Sequence, residues 1–438
     1  FGKKIKKSKI VYDILRKTMD ELKLKEWLSE VPPFTSFRIN SLQPFDTKNL
    51  EKYFYLQKQA LNVSAIPKYY ILKNDCLVVG RWPKGIEFGN INKEVIVDAA
   101  CGAAVLRGAH VFAPGVLGMP TNCELNEIIN VYCDMEGHCK RGLKIPYEGN
   151  KQYVGVGVLK KLRCDLFDNG IAPSGIAVHI LLPASRLPVI NEKIYPTGQI
   201  LLQNLPSIVT GWVIDPKPQE LILDMCASPG NKTTHLAEMS GDKAVIIAID
   251  KTEPKVARIV KNCEIQGVSC VKAYAFDSTK CFVKDSLNKL EPPFPANNFD
   301  KILLDAPCSG LGQRPQLNNK MSEKMLQSYK FVQRKLMTAA VEILKVGGEL
   351  TYSTCTITKE ENEGMVAWVL EKFPFMKLVP AEPLKGGPGL PNYGLTDEQR
   401  IMVQRFGPIE DELRPVEDII YRNSIGFFIA KFIKTDFR

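Results

Sequence analysis

Lys301-Ile302-Leu303-Leu304-Asp305-Ala306-Pro307-Cys308-Ser309-Gly310 and Gly348-Glu349-Leu350-Thr351-Tyr352-Ser353-Thr354-Cys355-Thr356 each run from an apolar strand pattern directly into a cysteine. Between them, Met321 to Lys345 is apolar at near-helical spacing (Met325, Tyr329, Val332, Leu336, Ala340, Ile343, Leu344). Strand, crossover helix, strand is the expected order, and such strands put their carboxyl ends on one edge of a parallel sheet, where open α/β sheets bind ligands. Cys308 and Cys355 are therefore expected to face one pocket. Two thiols in one cleft suit addition of a thiolate to an electron-poor ring, with a second acid or base helping to undo the adduct. Two small buried apolar residues would give the same pattern. What favours a site is the company: Pro307 restricts the backbone, Gly310 permits a tight turn, and Asp305 sets an acid at the strand exit.

Upstream, Leu221-Ile222-Leu223-Asp224-Met225 runs into Cys226-Ala227-Ser228-Pro229-Gly230-Asn231-Lys232 and then a helix beginning Thr233-Thr234-His235. A buried strand, a tight turn and a helix amino end favour negative charge, here a carboxylate tail. The turn is neither a Walker loop nor Gly-x-Gly-x-x-Gly, which argues against ATP and NAD. Ala244 to Asp250 and Val271 to Asp277 repeat the strand-then-acid arrangement. Asp250 is placed to take ribose hydroxyls, and Asp277 to accept from an adenine amino group. The alternative is that these acids only cap the following helices.

At 438 residues, 45% apolar and 24% charged, the chain is long enough for two or three globular domains. Its formal charge of +10 favours an anionic partner, and residues 1 to 40 hold ten Lys/Arg against five Asp/Glu. No run approaches a membrane span, and the Lys-rich start lacks an apolar segment behind it, so a cytoplasmic protein is expected. The chain starts at Phe1 rather than Met, so a few preceding residues are expected. The twelve cysteines are expected to be reduced. Without a Cys-x-x-Cys pair, and with His110, His138, His179 and His235 scattered, no metal site is expected.

Before the catalytic stretch come a surface helix over residues 10 to 30 (Ile10, Ile14, Leu15, Leu22, Trp27, Leu28), a strand at Phe34–Asn40, a helix at Leu50–Leu61 and a hairpin at Tyr69–Leu72 and Cys76–Val79. Residues 92–185 are β-rich, with strands expected at 95–97, 105–107, 128–132, 153–158 and 176–180. His138 to Arg163 holds seven Lys/Arg and one acid, so Lys140, Arg141, Lys144, Lys160 and Lys161 can line a phosphate-binding face. Residues 198–214 read as one helix, 380–418 as a long loop and 424–433 as a closing strand.

Ala104-Val105-Leu106-Arg107-Gly108-Ala109-His110-Val111-Phe112-Ala113-Pro114-Gly115 is similar to the start of PUA domains, small RNA-binding β-barrels. The resemblance makes Arg107, Phe112, Tyr132, Lys140 and Arg141 candidates for holding a single-stranded RNA end by stacking and charge. Core packing is the alternative for Phe112 and Tyr132.

The cofactor turn, the two cysteine motifs, Glu361-Asn362-Glu363 and Gly426-Phe427-Phe428-Ile429-Ala430 together resemble the Fmu/Sun family of RNA cytosine-C5 methyltransferases, most closely its animal sixth Sun-domain branch with an inserted PUA domain. The resemblance implies an α/β fold with a Rossmann-like class I methyltransferase sheet (186–438), a small α+β RNA-binding region (1–91) and an inserted β-barrel PUA domain (92–185). It implies S-adenosyl-L-methionine as cofactor, held by Cys226 to Lys232 with Asp250, Asp277 and Asp305. Cys355 is then the nucleophile at cytosine C6, Cys308 the group for product release and Asp305 the partner of the ring N3 or amino group. Lys232 faces either the base or the cofactor carboxylate. The implied substrate is the cytosine near the 3′ end of a tRNA acceptor stem, with messenger RNA as a further candidate and a monomer as the expected state. Family members usually have Ala and Gly at Ser228 and Asn231, which bears on cofactor affinity. The rival readings are a catalytically weak RNA-binding scaffold and a thiol redox enzyme.

Overall fold

The computed structural model of the chain describes residues 21–86, 88–168, 170, 172–190, 194–318, 321–408, 411–416 and 418–436. Ile10, Ile14 and Leu15 of the expected first helix lie outside them. Its described part, α1 (Glu21–Ser29), is a surface helix with Lys23, Glu26 and Ser29 exposed on one side. Leu24, Trp27 and Leu28 are buried against Leu311, Leu326 and Ile357 of the catalytic region.

The site is built on an eight-stranded sheet. In chain order its strands are β11 (Leu221–Asp224), β12 (Val245–Asp250), β13 (Val271–Ala275), β14 (Phe299–Asp305), β15 (Leu344–Thr354), β16 (Met376–Val379), β17 (Gln404–Phe406) and β18 (Phe427–Lys434). The spatial order is β13-β12-β11-β14-β15-β18-β16, with β17 pairing β18 off this path. The run from β13 to β15 is parallel and β18 is antiparallel to β15. The order in which the chain adds strands reverses between β11 and β14, the switch point at which open sheets take ligands. Alternation along these strands feeds both faces, as a covered parallel sheet requires. Leu223, Ile302 and Leu304 pack with α7 (Glu323–Ile343) and α8 (Glu363–Lys372). Ile222, Ile246 and Leu303 pack with α5 (Asn231–Met239) and α6 (Glu253–Gln266).

The amino-terminal unit is the sheet β10-β1-β3-β2, with β1 (Phe34–Ile39), β2 (Tyr69–Lys73), β3 (Cys76–Gly80) and helix α2 (Lys48–Ala60). Its fourth strand, β10 (Ile200–Leu202), falls where the sequence predicts helix. Ile200 to Leu202 pair with Ile39 to Phe37, and α4 (Leu205–Ile214) starts only after this pairing, with Pro206 in its first turn. The chain thus returns to the first sheet after the insert, beyond the expected boundary at 186.

The insert forms a six-stranded sheet, β5-β9-β8-β7-β4-β6. These are β4 (Glu94–Val97), β5 (Val111–Phe112), β6 (Val116–Gly118), β7 (Ile128–Asp134), β8 (Lys151–Leu159) and β9 (Ile176–Pro183). The two end strands, β5 and β6, are separated in the chain by one 3-10 turn, Ala113–Gly115, so the sheet must curl to bring its edges together. The expected strand at 105–107 is instead the end of helix α3 (Ala99–Leu106). Its Ala-rich sequence favours helix, the Asp98 side chain caps it by accepting from Cys101 N at 2.7 Å, and Gly108 at φ +96° lets the chain leave. The long loop expected over 380–418 contains α9 (Asp397–Arg400), with its Thr396–Gln399 capping box, and β17.

Candidate active site

The carboxyl ends of β11, β14 and β15 carry Asp224, Asp305 and, one residue on, Cys355 along one edge of the sheet. Cys308 Sγ lies 3.4 Å from Cys355 Sγ. Beside them Lys232 Nζ, from the first turn of α5, donates to Asp305 Oδ2 at 2.7 Å, and Ser353 Oγ donates to Asp305 Oδ1 at 2.7 Å. Asp305 thus has both oxygens engaged and is aimed by the neighbouring strand, since Asp305 and Ser353 are register partners. Burial pushes the Lys232 ammonium toward neutrality, but the Asp305 carboxylate outweighs it and holds the lysine charged.

The two sulfurs differ in their surroundings. A hydrogen bond with Cys308 pulls the Cys355 thiol down to about 7 against its burial, helped by Gln313 and by the Lys232 charge. The same hydrogen bond raises Cys308 well above the ordinary thiol range, together with burial and the Cys355 and Glu361 charges. When the pair has lost one proton, these surroundings favour the remaining proton on Cys308 and the anion on Cys355.

A cleft of about 310 Å³ borders the Lys232–Asp305 pair; it is lined by Cys226, Ala227, Ser228, Pro229, Asn231, Lys232, Asp224 and Asp305, and by Arg107 and Gln313. Gly230 takes the one left-handed conformation in the turn, φ +105°, which only glycine adopts cheaply. Asn231 has no such demand, being the first residue of α5, and its side chain accepts from Asn262 Nδ2 at 3.2 Å. The turn therefore tolerates Asn231 where family members usually have glycine. Helix α5 begins without a side-chain cap, so its first N–H groups are available to a carboxylate. Asp250 Oδ2 accepts from Ser228 N at 3.1 Å and Oδ1 from Lys255 Nζ at 2.9 Å. Asp277 does cap the following turn, accepting from Thr279 N at 3.1 Å.

Asp224 was a fourth strand-exit acid that the sequence offered and the expectation passed over. It accepts from Thr233 Oγ1 at 2.7 Å, and burial pushes its carboxyl up to about 7. Another residue without a sequence signal is Arg38 of β1, fully buried beneath α5. Its guanidinium donates to Gln203 Oε1 at 2.9 Å, Thr234 Oγ1 at 2.8 Å, Glu238 Oε1 at 2.8 Å and Asn231 O.

The five expected RNA contacts do not share one surface. Phe112 is 53% exposed. Lys140 and Arg141 are exposed nearby, with Arg141 donating to Pro114 O at 2.9 Å and lying over Phe167. Arg107 lines the catalytic cleft instead and reaches Arg314 O at 3.4 Å. Tyr132 packs edge-on to Tyr153 and opens on a separate cavity with Lys84 and Arg186. Among the described residues, no group of three or more His, Cys, Asp or Glu is placed to hold a metal ion, and no helix is long and apolar enough to cross a membrane.

A parallel sheet with its switch point beside an uncapped helix and strand-exit acids, closed by antiparallel β18, defines a class I S-adenosylmethionine-dependent methyltransferase. More narrowly, the model of the family described as 16S rRNA methyltransferase RsmB/F matches residues 211–432, and the chain belongs to that family. It is 42% identical over 429 residues to the tRNA (cytosine(72)-C(5))-methyltransferase NSUN6 of Mus musculus, covering 93% of this chain and 88% of that protein. It is also 34% identical over 341 residues to the tRNA (cytosine(72)-C(5))-methyltransferase of Pyrococcus horikoshii, covering 78% of this chain and 75% of the other. The crystal structure of NSun6 from Pyrococcus horikoshii with SFG, an analogue of S-adenosylmethionine, aligns with a TM-score of 0.70 at 30% identity, covering 95% of this chain and 94% of that one.

Proposed function

We propose that the chain forms 5-methylcytosine in tRNA, at the cytosine near the 3′ end of the acceptor stem named in its relatives, with Cys355 as nucleophile and Cys308 as the release group. The observation that carries this is the pair of strand-exit sulfurs 3.4 Å apart beside the Lys232–Asp305 pair.

Cytosine C5 is too poor a nucleophile to take a methyl group directly. The Cys355 thiolate adds to C6, and the ring electrons then collect at C5 as in an enamine. Asp305, held by Lys232 and Ser353, accepts from the exocyclic amino group or a protonated N3 and favours that flow. Once Cys355 is bonded to C6, Cys308 gives up its proton to solvent and, as a thiolate, takes the C5 proton after methyl transfer; the electron pair of the C5–H bond re-forms the ring double bond and the Cys355 thiolate departs. S-adenosylmethionine supplies an electrophilic methyl group. The residues present suit it: the uncapped α5 amino end for its carboxylate, Cys226 to Gly230 along its tail, Asp250 for the ribose hydroxyls and Asp277 toward the adenine edge. Because Cys355 is partly buried, the base must leave its stack to reach it, which favours a cytosine at a helix end.

The curled insert is read as a PUA domain that holds the single-stranded 3′ end. Exposed Phe112 stacks on a base, Lys140 and Arg141 take phosphates, and Arg107 follows the strand into the cleft. Tyr132, on its separate cavity, contacts a different part of the RNA. The enzyme is read as a cytoplasmic monomer.

The test is methyl transfer from labelled S-adenosylmethionine to tRNA transcripts that are intact, lack the 3′-terminal CCA, or carry uridine at the target position. The reading expects label only on intact transcripts. Equal labelling of all three would overturn it.

A further inference from the structure

Glu361 is fully buried, yet none of the steps above uses it. Its Oε1 accepts from Ser309 N at 2.9 Å and Gln333 Nε2 at 3.0 Å. Its Oε2 accepts from Ser309 Oγ at 2.5 Å and Thr358 Oγ1 at 2.8 Å. Ser309 Oγ also pairs with Thr356 Oγ1 at 2.7 Å. Ser309 follows Cys308 and Thr356 follows Cys355, so one carboxylate ties together the two turns that carry the sulfurs. These four donors are neutral amides and hydroxyls, which orient the charge without cancelling it.

We infer that Glu361 is a positioning residue that decides which of the two sulfurs keeps their shared proton, and thereby makes Cys355 rather than Cys308 the nucleophile. The inference rests on the catalytic reading above. One proton and one negative charge are divided between two sulfurs at hydrogen-bond distance, and the fields around them set where each goes. Glu361 and, from α7, Tyr329 bear on Cys308, and the Glu361 charge disfavours an anion there. Lys232, Asp305 and Gln313 bear on Cys355. The Lys232 ammonium and Gln313 favour an anion at Cys355, while Asp305 opposes it but is itself bonded to Lys232 and Ser353. Glu361, acting on Cys308, and Lys232, acting on Cys355, therefore push in the same sense, favouring the proton on Cys308. Without the Glu361 charge, the state with Cys308 ionised and Cys355 protonated becomes populated, and that state is the wrong nucleophile.

The measurement is site-resolved alkylation of the full chain by limiting iodoacetamide at neutral pH, read by mass spectrometry as the ratio of Cys355 to Cys308 labelling; it needs neither RNA nor cofactor. The parent is expected to label Cys355 in excess. Glu361→Gln should cut the ratio by about tenfold, the effect of a one-unit change in the difference between the thiols, while lowering the pH midpoint of total labelling because a negative charge has been removed. Glu361→Asp should keep the preference. Ser309→Ala removes hydrogen bonds but leaves the charge, and should keep it too. If Glu361→Gln fails to fold, Ser309→Ala still refutes the inference by losing the preference. A parental ratio in Glu361→Gln, or loss of preference in Ser309→Ala, overturns the inference. Preferential labelling of Cys308 in the parent would instead overturn the catalytic assignment itself.

Discussion

Replacing Arg38 by Met should loosen the cofactor-binding helix specifically. The guanidinium is buried, and its ion pair with Glu238 at 2.8 Å connects the first sheet to α5. Burial pushes the Glu238 carboxyl up to about 7 even with this partner, so the site is already costly for a charge. Taking one member from a buried pair costs about 3–5 kcal/mol, because the other is left without compensation. The Thr234 and Asn231 acceptors at the start of α5 lose their donor in the same step. Native-state hydrogen exchange measures this locally: each 1.4 kcal/mol is tenfold, so α5 amides should lose about two to three and a half orders of magnitude of protection. The parallel strands β12 and β13 should lose less. A second change, Arg38→Met with Glu238→Leu, removes both charges and should restore most of the protection. Loss of less than about tenfold in the single variant, or a double variant as unprotected as the single, would refute the reasoning.

Four further outcomes follow from the same geometry. Asp224, pushed up to about 7 from 3.8, binds its proton more tightly when folded. Its contribution to stability is therefore present at low pH and declines as pH rises from about 4 to 7; Asp224→Asn should remove that decline from chemical-denaturation profiles measured across the window. Alkylation of Cys355 should rise through about pH 7, and Lys232→Ala should move that midpoint upward by withdrawing a cation. Gly230→Ala forces a side chain onto φ +105° and brings its Cβ to 3.2 Å from Ile259 Cα. Strain of about 1–3 kcal/mol at the turn should weaken S-adenosylmethionine binding by calorimetry by roughly 5- to 150-fold. At Gly312 an added Cβ would meet Gly426 O at 2.0 Å and Cys355 O at 2.9 Å, so Gly312→Ala should displace the Cys355 turn and sharply reduce its alkylation without abolishing cofactor binding.

Much of the catalytic sheet was legible because its strands are buried on both faces and read as unbroken apolar runs, as at Ile302-Leu303-Leu304 and Ile246-Ile247-Ala248. Each run ends in an acid or a cysteine, which gave the site its outline. What failed depended on distant partners. Ile200-Leu201-Leu202 is a strand because β1, far back in the chain, offers it an edge. Val105 and Leu106 looked like a strand, but Asp98 and the alanines commit them to a helix, and Gly102 lets that helix approach Cys133, where a Cβ would sit 2.4 Å away. Along α7 the apolar pattern misjudged the buried face. Met325 and Val332 are 48% and 41% exposed, while Gln333 is buried with its amide nitrogen donating to Pro307 O and Glu361 Oε1. Arg107 was read with the insert, yet only the packing of α3 against the catalytic region reveals that it points into the cleft. Glu361 was visible as a motif, but its hold on both cysteine turns needed the fold.

The most direct test of the central claim is the covalent complex itself. The parent, Cys308→Ala and Cys355→Ala are incubated with tRNA and S-adenosylmethionine, and RNA-linked protein is scored on denaturing gels. The account predicts turnover without accumulation in the parent, a trapped adduct with Cys308→Ala, and neither adduct nor methylation with Cys355→Ala. Methylation by Cys355→Ala, or an adduct that persists without Cys355, would contradict it.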